Sequence, residues 1–200
     1  LFLYGWGKMP KWIHFGTGIV VGLSGLTSGI LVVDANAWMN SPTGFDWVNG
    51  VAMNIDPWAA MFNDAWFTQA LHMCLAAFVA TGFAVGGLHA WQLRKFPQSR
   101  FHLNGMKIAL FFGAIGALIQ PLSGDLSAKD IAVRQPVKLA AMEAHFHTEK
   151  GADLLIGGIP DEETGTVSYG LHLPYALSFL AFGDFDAEVK GLDAFPKDEH

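Results

Sequence analysis

The feature that most constrains this chain is the run from Phe67 to Trp91, 25 residues without a single Asp, Glu, Lys or Arg. A helix of that length is about 37 Å long and crosses a hydrocarbon core of about 30 Å. Charged residues make up only 15% of the 200 residues and hydrophobic residues 52%, whereas about a quarter of a soluble domain is charged. We therefore predict an integral membrane protein.

Two further apolar runs flank this one. The pattern predicts an all-α membrane fold, a helical bundle segment (13–124) with about three transmembrane helices, at about 13–37, 67–91 and 106–123. Residues 1–12 are interpreted as the end of a preceding helix and a cytoplasmic loop. The chain starts without Met and ends in a polar stretch, so we expect it to be part of a longer subunit.

Small residues recur at helical spacing in the first two spans, as in helices that pack closely in lipid. They are Gly18, Gly22, Gly25 and Gly29 in the first span, and Ala76, Ala80, Gly82 and Gly86 in the second. Such residues are common at generic helix contacts, and for most of them that interpretation is preferred.

Lys and Arg in short loops indicate orientation, because cytoplasmic loops carry an excess of them. They occur before the first span and between the second and third spans, at Lys8, Lys11, Arg94, Lys95, Arg100 and Lys107. The connection 38–66 has none. We therefore place 38–66 and 125–200 on the outer side. Tryptophans at the span ends form the expected aromatic belt, at Trp38, Trp66 and Trp91.

The region 125–200 is the least lipid-like. "KLAAMEAHFHTEKG" is predicted to be one helix, with Pro136 in its first turn and Gly151 past its end. "GGIPDEETG" is predicted to be a turn. "YGLHLPYALSFLAF" is too short and interrupted to span, so we expect it against the bundle or at the interface. A short interfacial helix is expected within 53–65.

His72 lies one turn inside the outer end of the second span, where an ionisable residue is costly and a functional candidate. A neutral imidazole is a good axial ligand for haem iron, and Ala76, one turn further, leaves room for a flat macrocycle. The alternative is a histidine that hydrogen-bonds across helices. Both interpretations stay open from the residues alone.

Ser28, Asp34 and Asn36 place polar groups along the first span. Ser28 and Asn36 are eight residues apart and share a helix face. They line a path for protons or a cofactor, or they serve capping and interhelical hydrogen bonding; for Ser28 alone the second interpretation is preferred.

The segment around Lys138 is dense in ionisable groups: Lys138, Glu143, His145, His147 and Glu149. Glu143 and His147 are four residues apart and could pair on a helix. The set suits quinol oxidation, which releases two protons with two electrons and so requires a proton acceptor. The alternative is a solvated amphipathic helix, which composition alone favours.

The blocks "LVVDANAWMNSPTG", "QALHMCLAAFVATGF" and "QPVKLAAMEAHFHT", followed by "GIP" and "LPYAL", strongly resemble subunit I of the cytochrome bd quinol oxidases. The resemblance covers almost the whole chain, from the end of the family's third helix into its periplasmic Q loop. It implies that 125–200 is part of that loop. Gly124-Asp125 resembles the Gly-Asp pair that leaves the sixth helix.

The resemblance also implies site residues. His72 matches the histidine ligand of the low-spin haem b, and Ser28 and Asn36 match polar positions near the proton path and the haem d region. Lys138 and Glu143 match the residues implicated in quinol binding and oxidation. The family's other iron ligands have no match here, and "AHFHT" departs from a tryptophan that many members carry.

The implied activity is oxidation of ubiquinol or menaquinol and reduction of O₂ to water, with a membrane potential generated. The implied cofactors are low-spin haem b, high-spin haem b and haem d. The implied partners are a second helical subunit, a possible small accessory subunit and the lipid of a bacterial or archaeal cell membrane.

Two rival functions remain at this stage. One is a haem-free transporter or channel with a path lined by Ser28, Asp34 and His72; the other is a scaffold whose histidines only pack. Nucleic-acid binding is not indicated, since the net charge is −6 and no basic stripe is present. The single cysteine, Cys74, excludes a disulfide within the chain.

Overall fold

A computed structural model describes residues 1–196 of the chain. They divide into two compact units, which we call the N-terminal unit (Leu1–Gln120) and the C-terminal unit (Pro121 onwards). The predicted helical membrane class is confirmed. Within the described residues, three helices are long and apolar enough to cross a membrane: α1 (Lys11–Asn40), α3 (Trp66–Lys95) and α4 (Arg100–Arg134).

Each helix extends beyond the predicted span. The largest difference is in α4, which continues past Gly124-Asp125 instead of ending there. Ion pairs four residues apart accompany this extension: Lys129 Nζ lies 2.6 Å from Asp125 Oδ2, and Arg134 Nε lies 2.6 Å from Asp130 Oδ1. Such pairs lie on one helix face and favour continued helix where the apolar sequence has already ended.

Glycines allow α3 and α4 to approach closely. A Cβ atom built on Gly82 would lie 2.6 Å from Gly113 Cα, and one on Gly86 would lie 2.7 Å from Leu110 Cδ2. In α1, by contrast, a Cβ atom on Gly22 would meet no described atom within 4 Å. Gly82 and Gly86 of α3 are therefore packing positions, in agreement with the preferred interpretation, whereas Ala76 and Ala80 are exposed.

The connection between α1 and α3 is a hairpin followed by a short helix. Strand β1 (Asp46–Val48) pairs antiparallel with β2 (Val51–Met53), and α2 covers Pro57–Met61. The carboxylate of Asp56 accepts hydrogen bonds from the backbone N–H groups of Trp58 and Ala59, at 2.9 and 3.2 Å. This N-cap and the proline in the first turn begin the short helix expected within 53–65.

The C-terminal unit combines short helices with small sheets. After α4 come α5 (Pro136–Met142) and α6 (Ala176–Phe182), with a 3-10 turn at Leu192–Ala194. Six short strands form three antiparallel pairs: β3 (Glu149–Lys150) with β8 (Glu188–Val189), β4 (Leu154–Ile156) with β7 (Leu171–Leu173), and β5 (Ile159–Asp161) with β6 (Thr166–Ser168). Its core consists of Ala132, Leu139, Ala152, Leu177, Ala181 and Val189.

Two local predictions in this unit need correction. The single helix over "KLAAMEAHFHTEKG" is wrong: α5 ends at Met142, Ala144 takes a positive φ of 49°, and Glu149 is in β3. The reason is tertiary, since pairing with β8 holds that strand extended.

The segment "GGIPDEETG" contains the predicted turn, which connects the two strands of a hairpin. The carboxylate of Asp161 accepts hydrogen bonds from the backbone N–H groups of Glu163 and Thr164 in this turn. "YGLHLPYALSFLAF" forms β7 and α6, and α6 contributes to the core.

Candidate functional site

The first candidate is His72, which α3 holds half-buried in the N-terminal unit. Its partner is Gln120 on α4: the amide Nε2 lies 3.0 Å from His72 Nε2, 3.3 Å from His72 Nδ1 and 3.4 Å from the His72 carbonyl oxygen. One side chain thus contacts both ring nitrogens and the backbone of the same residue. The histidine does hydrogen-bond across helices, as the alternative interpretation required.

An imidazole is a good ligand for haem iron, which it binds through one ring nitrogen. The Gln120 amine lies within hydrogen-bond distance of both nitrogens of His72. An iron bound at either nitrogen would therefore have to replace that contact, and the role of His72 as an iron ligand stays a prediction.

Gln120 was missed by the sequence analysis. The available signal was a polar amide inside the apolar run "IALFFGAIGALIQPLSG", directly before Pro121. A polar side chain in a span usually has a partner on another helix. Only the packing of α3 against α4 identifies that partner as His72.

Ser28 and Asn36 are both exposed on α1. The Asn36 carbonyl oxygen accepts from the side-chain amide of Asn40 at 2.8 Å, within the same helix. No contact described within residues 1–196 brings these two residues to His72. Their match to a cofactor region stays a prediction.

Asp34 differs from its polar neighbours because it is buried, with 5% exposure. Within the described residues, its Oδ1 atom has no hydrogen-bond partner. It borders a cavity of about 230 Å³ between α1 and α2, lined also by Leu31, Trp38 and Met61. Of the three polar residues singled out on α1, it is the one removed from the surface.

The second candidate site is on α5. Lys138 is half-buried in the helix, next to the buried Leu139 and Ala140. Glu143 ends the helix, its backbone N–H donating to the Leu139 carbonyl oxygen at 3.0 Å. Burial raises the pKa of the Glu143 carboxyl above its ordinary value. A carboxylate with a raised pKa is a stronger base and hence a better proton acceptor.

The neighbouring histidines have other partners. His145 is buried, and its Nε2 lies 3.2 Å from the Val189 carbonyl oxygen on β8. His147 Nδ1 lies 3.4 Å from Asp193 Oδ2, so the suggested pair with Glu143 is wrong because the helix ends before His147. These two histidines connect the segment to β8 and the 3-10 turn, and Glu149 is an exposed strand residue.

A cavity of about 200 Å³ lies beside α5. Its apolar wall includes Pro136, Leu139 and Phe182, and Glu188 and Lys190 bring charge to it. The helix that carries Lys138 and precedes Glu143 therefore also borders a small pocket with both apolar and charged sides.

The fold is that of a helical membrane protein, with a half-buried histidine in one span and a half-buried lysine and glutamate in the C-terminal unit. The family follows from comparison with known proteins. The model of the cytochrome bd terminal oxidase subunit I family matches residues 1–200, and the chain belongs to that family.

Known relatives agree with this assignment. The chain is 36% identical over 203 residues to a putative cytochrome bd menaquinol oxidase subunit I of Bacillus subtilis, covering 100% of this chain and 46% of the relative. It is 29% identical over 196 residues to the cytochrome bd-II ubiquinol oxidase subunit 1 of Escherichia coli, covering 96% and 38%.

A solved structure gives the same result. The bd oxidase from Geobacillus thermodenitrificans matches with a TM-score of 0.84 at 36% identity, covering 98% of this chain and 46% of that chain. This chain thus spans less than half the length of the relatives it matches.

Proposed function

We propose that this chain is the quinol-oxidising part of a bd-type quinol:oxygen oxidoreductase. The observation that carries the proposal is the half-buried Glu143, whose pKa is raised, directly after the short helix that carries Lys138, in a chain of this family. The relatives' names support quinol as the reductant: one is called a menaquinol oxidase and another a ubiquinol oxidase. The substrate class is therefore a membrane quinol, either ubiquinol or menaquinol.

The chemistry of quinol oxidation explains why these two residue types are needed. A quinol loses two electrons and two protons to become a quinone. The carboxylate of Glu143 takes a proton from a ring hydroxyl, and burial strengthens it as a base. The ammonium of Lys138 stabilises negative charge on a ring oxygen as its proton leaves. The second ring proton would pass to water on the outer side, and the two electrons would pass one at a time to the haem groups that the proposal assigns to the complete enzyme.

In this proposal, His72 would hold the low-spin haem b through a ring nitrogen, in place of its present contact with the Gln120 amine. When bound, this haem supplies one-electron transfer. Ser28 and Asn36 belong to the proton path near the haem d region. A high-spin haem b and haem d complete the set that reduces O₂ to water.

The complete enzyme is placed in a bacterial or archaeal cell membrane, with 125–200 on its outer side. A second helical subunit and a small accessory subunit are the proposed partners. Protons released outside by quinol and taken up inside for O₂ reduction generate the membrane potential. No pumping is required for that separation of charge.

Two variants of the full-length complex test the proposal. His72→Ala should remove the low-spin haem b band from the reduced absorption spectrum, because it deletes the ligand. Glu143→Gln should leave all haem bands unchanged and slow quinol oxidation by about 10²-fold or more, the usual contribution of a positioned base. Glu162→Gln, an exposed carboxyl in the β5–β6 turn, is the matched control.

Normal quinol oxidation by Glu143→Gln would reject the assignment of the base. A wild-type complex that is folded and free of haem bands would reject the oxidase itself and favour the transporter, the rival that predicts no haem. Retention of the low-spin band in His72→Ala would reject only the ligand assignment.

A further inference from the structure

We propose that His89 and His102 form a binding site for one divalent transition-metal cation, at the end of the bundle where α3 connects to α4. Both histidines lie in the N-terminal unit, and the proposed quinol chemistry uses neither of them. The site is independent of the assignment of His72 and of any haem.

A short connection places the two histidines opposite each other. Helix α3 ends at Lys95 and α4 begins at Arg100, so only residues 96–99 separate two neighbouring helices. His89 is near the end of the first helix and His102 near the start of the second. Their Nδ1 atoms are 3.0 Å apart, and the ring centroids are 5.2 Å apart.

Packing on both sides holds the two rings in place. A Cβ atom built on Gly105 of α4 would lie 2.5 Å from His89 Nε2 and 2.7 Å from His89 Cε1, so that ring rests on a position without a side chain. Phe101 contacts the same ring edge-on, and Phe96 stacks on His102. Both histidines are half-buried. Two imidazoles held in this way lose little rotamer freedom when they bind a shared ligand.

The paired Nδ1 atoms are what a metal ion needs. At 3.0 Å, two neutral imidazoles share one hydrogen, which one Nδ1 donates and the other accepts. A metal ion would replace that hydrogen, because each neutral ring can carry its own hydrogen on Nε2 and offer the Nδ1 lone pair.

The separation also indicates the kind of metal. With metal–nitrogen bonds of about 2.0–2.1 Å, nitrogens 3.0 Å apart make an angle of roughly 95° at the metal. Neighbouring ligands in the square-planar or tetragonal sites of Cu²⁺ and Ni²⁺ are close to a right angle. A tetrahedral Zn²⁺ site would need the nitrogens about 3.3 Å apart. We therefore expect Cu²⁺, the most tightly bound of the three ions, to be the best probe.

Two features limit the affinity of this site. Within residues 1–196, no group of three or more His, Cys, Asp and Glu side chains could hold a metal ion, so water would complete the coordination. Exposed cationic side chains near the connection oppose a divalent cation: Arg94, Lys95, Arg100 and Lys107. Salt at 0.1 M screens such exposed charges beyond about 10 Å, whereas the two nitrogens act by direct coordination.

The Cu²⁺ content of the full-length complex, after dialysis against buffered Cu²⁺ and removal of the free ion, tests the site. Wild type should retain one more Cu²⁺ per complex than His89→Gln or His102→Gln, because each change removes one of the two ligands. Its electron paramagnetic resonance spectrum should show that Cu²⁺ coupled to two imidazole nitrogens. His14→Gln, which changes a half-buried histidine of α1, is the control and should retain the wild-type content. Mg²⁺ should show no difference between the variants, because it prefers oxygen ligands.

A pair of glycine variants tests the geometry without removing a ligand. Gly105→Ala should weaken Cu²⁺ binding by about tenfold, the lower range for disturbing the support of a metal ligand, because its Cβ atom would displace the His89 ring. Gly87→Ala should leave the affinity unchanged, since a Cβ atom there would meet no described atom within 4 Å.

Loss of one Cu²⁺ and of the two-nitrogen signal in both histidine variants, with His14→Gln unchanged, supports the proposal. Equal Cu²⁺ content in wild type and both histidine variants would overturn it, and so would an equal loss in His14→Gln. If the histidine variants do not assemble, the glycine pair decides: weaker binding in Gly105→Ala alone supports the site, and equal affinities in the two glycine variants would reject it.

Discussion

The two units of this chain use apolar side chains in opposite ways. In the N-terminal unit, large apolar residues of α1 are exposed, among them Leu23 at 59% and Val32 at 67%. In the C-terminal unit, Leu177 and Val189 are each 1% exposed within a closed core. The C-terminal unit therefore buries its large apolar side chains in its own hydrophobic core. The exposed apolar side chains of α1 need lipid or neighbouring helices to cover them.

The largest effect is expected from Leu177→Ala, which should destabilise the C-terminal unit by about 2–5 kcal/mol because it leaves a cavity in a closed core. The matched change Leu23→Ala on α1 should cost less than about 1 kcal/mol, because lipid fills the space left by the side chain. Thermal unfolding of the full-length complex in detergent, with limited proteolysis to locate the unfolded part, measures both. Equal costs would show that Leu23 is covered by protein.

The second test compares two glycines of the N-terminal unit. Gly82→Val should destabilise the α3–α4 packing by about 1–3 kcal/mol, since its Cβ atom would overlap the backbone at Gly113. Gly22→Val on α1 should be nearly neutral, because a Cβ atom there has space around it. The midpoint of thermal unfolding measures the difference. A large cost at Gly22 would indicate a neighbouring helix at that face.

The smallest expected effect is the pH dependence carried by Glu143. The unfolded chain releases this proton near the ordinary pKa of 4.5 and the folded chain at higher pH. Between these values the folded state binds more protons, so the free energy of unfolding falls as pH rises through that window, and the loss persists above it. Below pH 4.5 both states are protonated and the residue contributes no pH dependence.

Chemical unfolding of the complex as a function of pH, with a probe in the C-terminal unit, detects this slope. Glu143→Gln should remove it, while Glu162→Gln should leave it in place because that carboxyl is exposed. An unchanged slope in Glu143→Gln would mean that burial of Glu143 does not perturb its protonation.

Local pattern predicted some short elements and failed for others. The short helix expected within 53–65 is α2, which begins at an Asp56 cap and a proline, both of which act within one turn. No local signal marks the end of α5 at Met142, because "EAHFHTEK" favours helix locally. The helix ends there because β3 pairs with β8, about forty residues further along the chain. His145 and His147 were expected to belong to the site around Lys138. Each instead contacts a residue more than forty positions later in the chain, Val189 and Asp193 respectively.

Sequence by itself determined that the chain is a helical membrane protein, since an uncharged run as long as Phe67–Trp91 must satisfy its own backbone hydrogen bonds in lipid. It also singled out His72, because a titratable group in such a run is rare. Only the tertiary structure decided that Gln120 contacts the His72 ring and that Glu143 is partly withdrawn from water. The first depends on residues 48 positions apart in the chain, and short-range periodicity carries no information about such contacts.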